Sequence, residues 1–150
     1  MLSKLASDIK QEYGGLSLII ILKSFFNPSI HACILIRLAA KTKGLTHVLI
    51  RNILIAKHSI DVGEAVNIGN GLKLPHPFCI VIGRNVVVGN QVTIYQGVTI
   101  GYKKGYPKIG DEVIIYPNCT IVGPIEVGYQ VTVGANTFID KSIAAHSVVK

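Results

Sequence analysis

The chain has 150 residues, 49% of them hydrophobic, enough for one domain with a sizeable buried core. Its net charge of +7 is held unevenly: residues 1–57 carry eight Lys or Arg against Asp8 and Glu12, whereas residues 58–150 carry seven against six. No basic stretch is interleaved with aromatic residues, which argues against single-stranded nucleic acid as a partner. Cys33, Cys79 and Cys119 are odd in number and widely spaced, so they suggest neither a disulfide framework nor a zinc site and read as free, buried thiols in a reducing cytoplasm.

Residues 1–57 read as a helical segment. Leu2, Leu5, Ile9 and Tyr13 share one helical face. The run Gly15 to Phe26 is the most apolar, but Lys23 interrupts it and it falls short of the ~20 residues that span a bilayer. It also lacks the flanks of a signal peptide, since the charges before it are mixed in sign and no small-residue cleavage site comes after it. Asn27-Pro28 is a cap and first helical residue for a helix through Ala40, and Thr46 is the cap expected for another through Lys57. These helices are expected to pack on the first part of the remaining chain. An interfacial contact with the inner membrane face is the competing reading, with Arg37, Lys41, Lys43, Arg51 and Lys57 as its basic contributors.

From residue 58 the pattern changes to a period of six. Aliphatic residues recur at Val62, Ile68, Leu74 and Ile80, then from Ile82 through Val88, Ile94 and Ile100, and from Ile109 through Ile115, Ile121, Val127 and Val133 to Ile139. Glycine is often the next residue, as in Ile82-Gly83 and Val127-Gly128. A helix repeats at three and four residues and a half-buried strand at two, so this is a hexapeptide repeat, the mark of a parallel β-helix. Two breaks interrupt it, a two-residue jump between Ile80 and Ile82 and a nine-residue interval between Ile100 and Ile109. Repeat folds expel insertions as loops that often mark the working face, which makes residues 101–108 (GYKKGYPK) a candidate functional loop.

The strings Ile60-Asp61-Val62-Gly63, Ile68-Gly69-Asn70-Gly71, Pro75-His76, Tyr95-Gln96-Gly97-Val98-Thr99-Ile100-Gly101 and Pro107-Lys108-Ile109-Gly110 resemble the left-handed parallel β-helix acyltransferases. Within these, the resemblance is strongest to the serine acetyltransferase group and its small capsule and exopolysaccharide O-acetyltransferase relatives. It covers about 90 residues, Ile60 to Val149, and reaches weakly upstream to His31-Ala32 and Arg37-Leu38-Ala39. It implies a mainly β fold, with a helical segment 1–57 packing on a left-handed β-helix domain 58–150, and a homotrimer with active sites between subunits.

Moving an acetyl group from a thioester to a hydroxyl needs a base beside the hydroxyl. His76, in a Leu-Pro-His-Pro context at the first register jump, suits that role, and the resemblance places a catalytic histidine there. It also implies an orienting carboxylate fifteen residues earlier, where Asp61 stands. His31 and His47 read as packing or surface residues, His58 as a connector and His146 as structural. With only His76 inside the coils proper, a metal enzyme on this fold lacks ligands.

Acetyl-CoA is the implied cosubstrate, its arm lying in a groove that by position uses Gly101, Tyr102, Pro117, Gly123 and Ala135, with Lys103, Lys104 and Lys108 available for phosphates. Serine acetyltransferases place an acid before the catalytic histidine and an Arg-His pair in the loop. Here Pro75 and Gly105-Tyr106 occupy those positions, and Tyr102 and Tyr106 offer flat, hydrogen-bonding surfaces for a sugar ring. A saccharide hydroxyl in capsule, exopolysaccharide or lipopolysaccharide synthesis is therefore the expected acceptor, serine the alternative. A non-catalytic trimeric scaffold is a further alternative, against which the Asp61 and His76 pair counts.

Overall fold

The structure, a computed structural model, describes all 150 residues. Four helices come first. Helix α1 (Leu2–Tyr13) ends where Gly14 turns left-handed at φ 76° and donates its N–H to the Lys10 carbonyl. Helix α2 (Leu18–Ser24) starts at Ser17, whose hydroxyl accepts the Ile20 N–H. Helix α3 (Pro28–Lys41) is capped by the Asn27 side chain, which accepts the Ser29 N–H at 2.8 Å. Helix α4 (Gly44–His58) begins two residues before the expected Thr46 cap and has no local side-chain cap. The Gly44 N–H is met instead by the Glu64 carboxylate from the coils at 3.2 Å, a partner that lies outside any local capping pattern.

The rest of the chain winds into a parallel β-helix. Strands β1 (Asp61–Val62), β3 (Val81–Ile82), β6 (Thr99–Gly101), β9 (Thr120–Val122) and β12 (Phe138–Ile139) form a five-stranded sheet. A second sheet joins β2 (Asn67–Ile68), β4 (Val87–Val88), β7 (Lys108–Ile109) and β10 (Glu126–Val127). The third joins β5 (Thr93–Ile94), β8 (Ile114–Ile115), β11 (Thr132–Val133) and β13 (Val148–Val149). Every pairing is parallel, so each inward aliphatic residue of the repeat sits on its counterpart one coil away. Val62, Ile82, Ile100, Ile121 and Ile139 form one such column, all buried. The glycines beside these columns pack corner on corner: a Cβ built on Gly110 would lie 2.9 Å from the Gly128 carbonyl carbon.

Register offsets locate the insertions. Lys73 pairs with Thr93 and Asp61 with Val81, twenty residues on, but Val81 pairs with Thr99, eighteen on. Two extra residues therefore leave the coil between Lys73 and Val81, the segment that holds His76. Val87 pairs with Lys108, twenty-one residues on, which puts three extra residues into the loop after Gly101. The last coil is two residues short, with Thr132 paired to Val148, a contraction the hexads did not reveal.

The helices pack on the first coil, pinned by a buried ion pair. The Arg37 guanidinium meets both Asp8 oxygens at 2.5 and 2.6 Å and donates to the Gly69 carbonyl at 2.9 Å, while Asp8 also accepts the Leu72 N–H at 2.9 Å. Arg37 is thus removed from the basic residues expected to face lipid. A thiol is also placed differently from expectation: Cys33 and Cys119 are buried, but Cys79 is exposed at a left-handed corner, φ 57°.

This packing has two measurable consequences. Asp8→Ala strands the Arg37 charge, and chemical denaturation is expected to show a loss of about 3–5 kcal/mol. Of the three thiols, only Cys79 is expected to react promptly with a disulfide reagent in the native state, the other two only on unfolding.

Candidate active site

The two extra residues of the first coil are extruded as the corner Pro75-His76-Pro77-Phe78. Pro77 is buried and fixes the corner, the Phe78 N–H donates to the His76 carbonyl at 2.9 Å, and the His76 side chain projects to solvent. Its imidazole lies 6.2 Å from the Phe78 ring and 6.3 Å from the Tyr95 ring, and Tyr95 stacks on Tyr116 at 5.1 Å. The histidine rings engaged in hydrogen bonds are His31, His47 and His58; that of His76 is not.

Asp61 does not reach His76 by hydrogen bond. Both its oxygens are taken by Arg51, Nε to Oδ1 at 2.5 Å and Nη2 to Oδ2 at 2.7 Å. In this structure Asp61 thus pairs with Arg51 rather than with His76, and the reason is helix α4. Its inner face carries His47, Arg51, Leu54 and His58, spaced for one side of a helix, and it packs on β1, so Arg51 lies over the outward-facing carboxylate. The hydrogen bond to Arg51 holds the Asp61 carboxyl below its usual range, against the opposing effect of burial.

His58 is paired as well. Its Nε2 lies 2.9 Å from His31 Nδ1, and burial, then the His31 and Lys57 charges, depress its pKa. Together with Phe25, Phe26, Lys57 and Phe78 the two imidazoles line a groove of about 600 Å³ beside the His76 corner. Sequence reasoning assigned neither histidine to such a feature, because the pairing joins residues 27 apart on different helices.

Below His76 the corners stack in a column. Amide bonds from Gly97 to Phe78 (3.4 Å), from Asn118 to Gln96 (3.0 Å) and from Asn136 to Pro117 (2.9 Å) place Phe78, Gln96, Pro117 and Ala135 on one edge. Pro117 is half-buried and Ala135 exposed. The Gln96 Oε1 is buried with no donor, an orphaned acceptor on the same edge that sequence reasoning did not single out.

The loop residues sit elsewhere. Gly101 ends β6, Gly123 donates to its carbonyl at 3.4 Å, and the Tyr102 and Tyr106 rings pack with centroids 5.2 Å apart. Lys103 pairs with Asp140 at 2.8 Å and lies over the Phe138 ring, and like Lys104 and Lys108 it is exposed. The His76 corner precedes the strands of the five-stranded sheet and the loop comes after them. One chain therefore brings His76, Pro75, Pro117 and Ala135 to one edge of that sheet, and Gly101, Tyr102, Tyr106 and Gly123 to the other. No group of three or more His, Cys, Asp or Glu side chains converges in a way that would hold a metal.

Because Arg51 favours the charged form of Asp61, the stabilisation from this pair is present above the ordinary carboxylate pKa and is lost as pH falls through the depressed folded value. Carboxyl-carbon NMR is expected to show Asp61 titrating below the normal range and moving up in Arg51→Gln.

No family profile matches the chain. The serine acetyltransferase of Staphylococcus aureus strain Mu50 is 36% identical over 95 residues, which is 60% of this chain and 45% of that protein. The serine acetyltransferase of Neisseria gonorrhoeae, solved in complex with serine, superposes with a TM-score of 0.86 at 26% identity, over 97% of this chain and 64% of that one. A serine acetyltransferase in complex with CoA gives 0.85 at 25% identity, over 96% and 64%. The chain spans less than half the length of the curated relative. In fold over nearly its whole length, and in sequence over 60% of it, the chain is similar to the serine acetyltransferases, hexapeptide-repeat acyltransferases with a helical segment ahead of the β-helix.

Proposed function

We propose that the chain is an O-acetyltransferase that uses acetyl-CoA, with His76 as the general base. The observation that carries this is the placement of an exposed imidazole, with no hydrogen-bond partner in its own chain, on an extruded corner at the head of the Gln96, Pro117 and Ala135 column. A structural neighbour is in complex with CoA. In the reaction, His76 takes the proton of the acceptor hydroxyl as its oxygen attacks the thioester carbonyl, and the CoA thiolate leaves with the proton returned to it. The small Ala135 side chain leaves room for the pantetheine arm beside Pro117, with Gly101, Tyr102 and Gly123 serving it from the loop side. Asp61 orients the imidazole only by exchanging Arg51 for it.

The two halves of this site stand on opposite edges of one sheet, so a second copy must supply the loop that faces each His76. A homotrimer, with three sites between subunits, satisfies that requirement. Acetyl-CoA as cosubstrate points to the cytoplasm.

L-Serine is the first acceptor to test, because the similar proteins are serine acetyltransferases and one neighbour is in complex with serine. That ranks serine above the saccharide expected from sequence. A second reading keeps the saccharide, on a specific observation: Pro75 and the Gly105-Tyr106 pair offer no charge to a zwitterion, and the packed Tyr102 and Tyr106 rings form an aromatic surface. Each missing charged hydrogen bond is worth about 1.5–3 kcal/mol to serine.

Release of free thiol from acetyl-CoA decides between them, with L-serine in one reaction and sugars, nucleotide sugars and oligosaccharides in others. Serine-dependent release supports the first acceptor, saccharide-dependent release the second, and no release with any acceptor overturns the enzyme. His76→Ala is expected to lower turnover by about 10²–10⁴-fold with CoA binding retained. Activity per chain is expected to fall when dilution dissociates the assembly, monitored by light scattering under assay conditions; an active monomer contradicts the shared site.

A further inference from the structure

The helical segment turns its charges in an uneven way. Both its acids face inward, Asp8 fully buried against Arg37 and Glu12 largely buried beside Lys73. Arg51, its other arginine, is spent on Asp61. What remains exposed is basic: Lys10, Lys23, Lys41, Lys43 and Lys57, with no exposed carboxylate among them.

The segment also exposes apolar side chains to an extent unusual in water. On α2 and the turn after it, Leu18, Ile19, Leu22, Phe25 and Phe26 are exposed, the last two at 73% and 91%. Helix α4, whose inner face is used on β1, shows a second stripe outward: Leu45, Val48, Leu49 and Ile53, at three- and four-residue spacing, interrupted by no charge. Phe25 and Phe26 meet Lys57, at the end of α4, across the groove beside His76. A patch of this kind marks an interaction surface.

We infer that this face docks on an anionic lipid bilayer, with Phe25, Phe26 and the α2 leucines in the headgroup boundary and Lys23 and Lys57 against lipid phosphates. Charge points to this occupant: Lys57 and Lys23 flank the exposed phenylalanines, no carboxylate of the helical segment is exposed beside them, and an anionic membrane complements such a rim. The contact is interfacial. No single helix is long and apolar enough to cross a membrane, and α3, which leaves α2 at a 75° bend, buries Ile30, Cys33 and Ile36 under the coils. Docking in this way sets the groove and the His76 corner close to the lipid surface. The inference goes beyond the acetyl-transfer reading and stands independently of the acceptor.

Flotation of the full chain with vesicles tests it, using phosphatidylcholine alone or phosphatidylcholine mixed with phosphatidylglycerol. The chain is expected to float with the anionic vesicles, less so as salt rises, and to stay behind with phosphatidylcholine alone. Lys23→Gln and Lys57→Gln, both at exposed positions, are expected to weaken partition by about fivefold each. The doubly substituted Phe25→Ser, Phe26→Ser chain, checked for unchanged circular dichroism, is expected to lose most of it. Failure to float with anionic vesicles overturns the inference, as does equal flotation with both compositions or unchanged partition of the serine variant. If the serine variant loses the assembly that the wild type shows in light scattering, and no vesicle binding has been seen, the face belongs to a second copy and the inference fails.

Discussion

Register between stacked coils is the constraint on which the rest of this protein depends. Each strand pairs only with its counterpart one coil above and below, and each inward aliphatic side chain packs on the same position of the next coil. A shift of one residue would turn the core outward, so extra residues cannot be absorbed within a strand. They leave at corners. The surplus residues between Lys73 and Val81 become the His76 corner, and those after Gly101 become the Tyr102–Tyr106 loop. At those two places stand the exposed His76 imidazole and the packed Tyr102 and Tyr106 rings.

Electrostatics attach the helical segment to this stack and at the same time shape its outer surface. Buried in the contact with the first coil, Asp8 needs Arg37 and the Leu72 amide to offset its desolvation. Arg51 does a comparable job at the rim, reaching Asp61 from α4. Since these pairings consume one acid and both arginines of the segment, the solvent-facing remainder is left uniformly basic. Attachment and exposed charge are thus two results of one distribution of side chains.

The candidate site has the same divided character. On one edge of the five-stranded sheet the corner column offers an exposed imidazole, an orphaned amide oxygen and small residues; the other edge offers a loop with two packed tyrosines. A fold built by stacking cannot close around a ligand, because its cross-section is filled by aliphatic side chains, and a cleft has to come from a contact between surfaces.

The coils were legible in the sequence because their cause is local and periodic: a six-residue rhythm of aliphatic residues with glycine where corner meets corner. The two insertions were legible as breaks in that rhythm, and so were His76 and the loop. The Asn27-Pro28 start of α3 was readable because a cap is a local hydrogen bond. Long-range partners were not readable. Glu64 replaces Thr46 at the start of α4, Arg51 rather than His76 takes Asp61, His31 finds His58, and Lys103 is held by Asp140. Each joins side chains whose separation in the chain carries no period, so only the folded arrangement decides whether they meet. Sequence by itself determined the repeat, its interruptions and the residues that stand at them; tertiary structure decided which charges are spent on one another and which remain exposed.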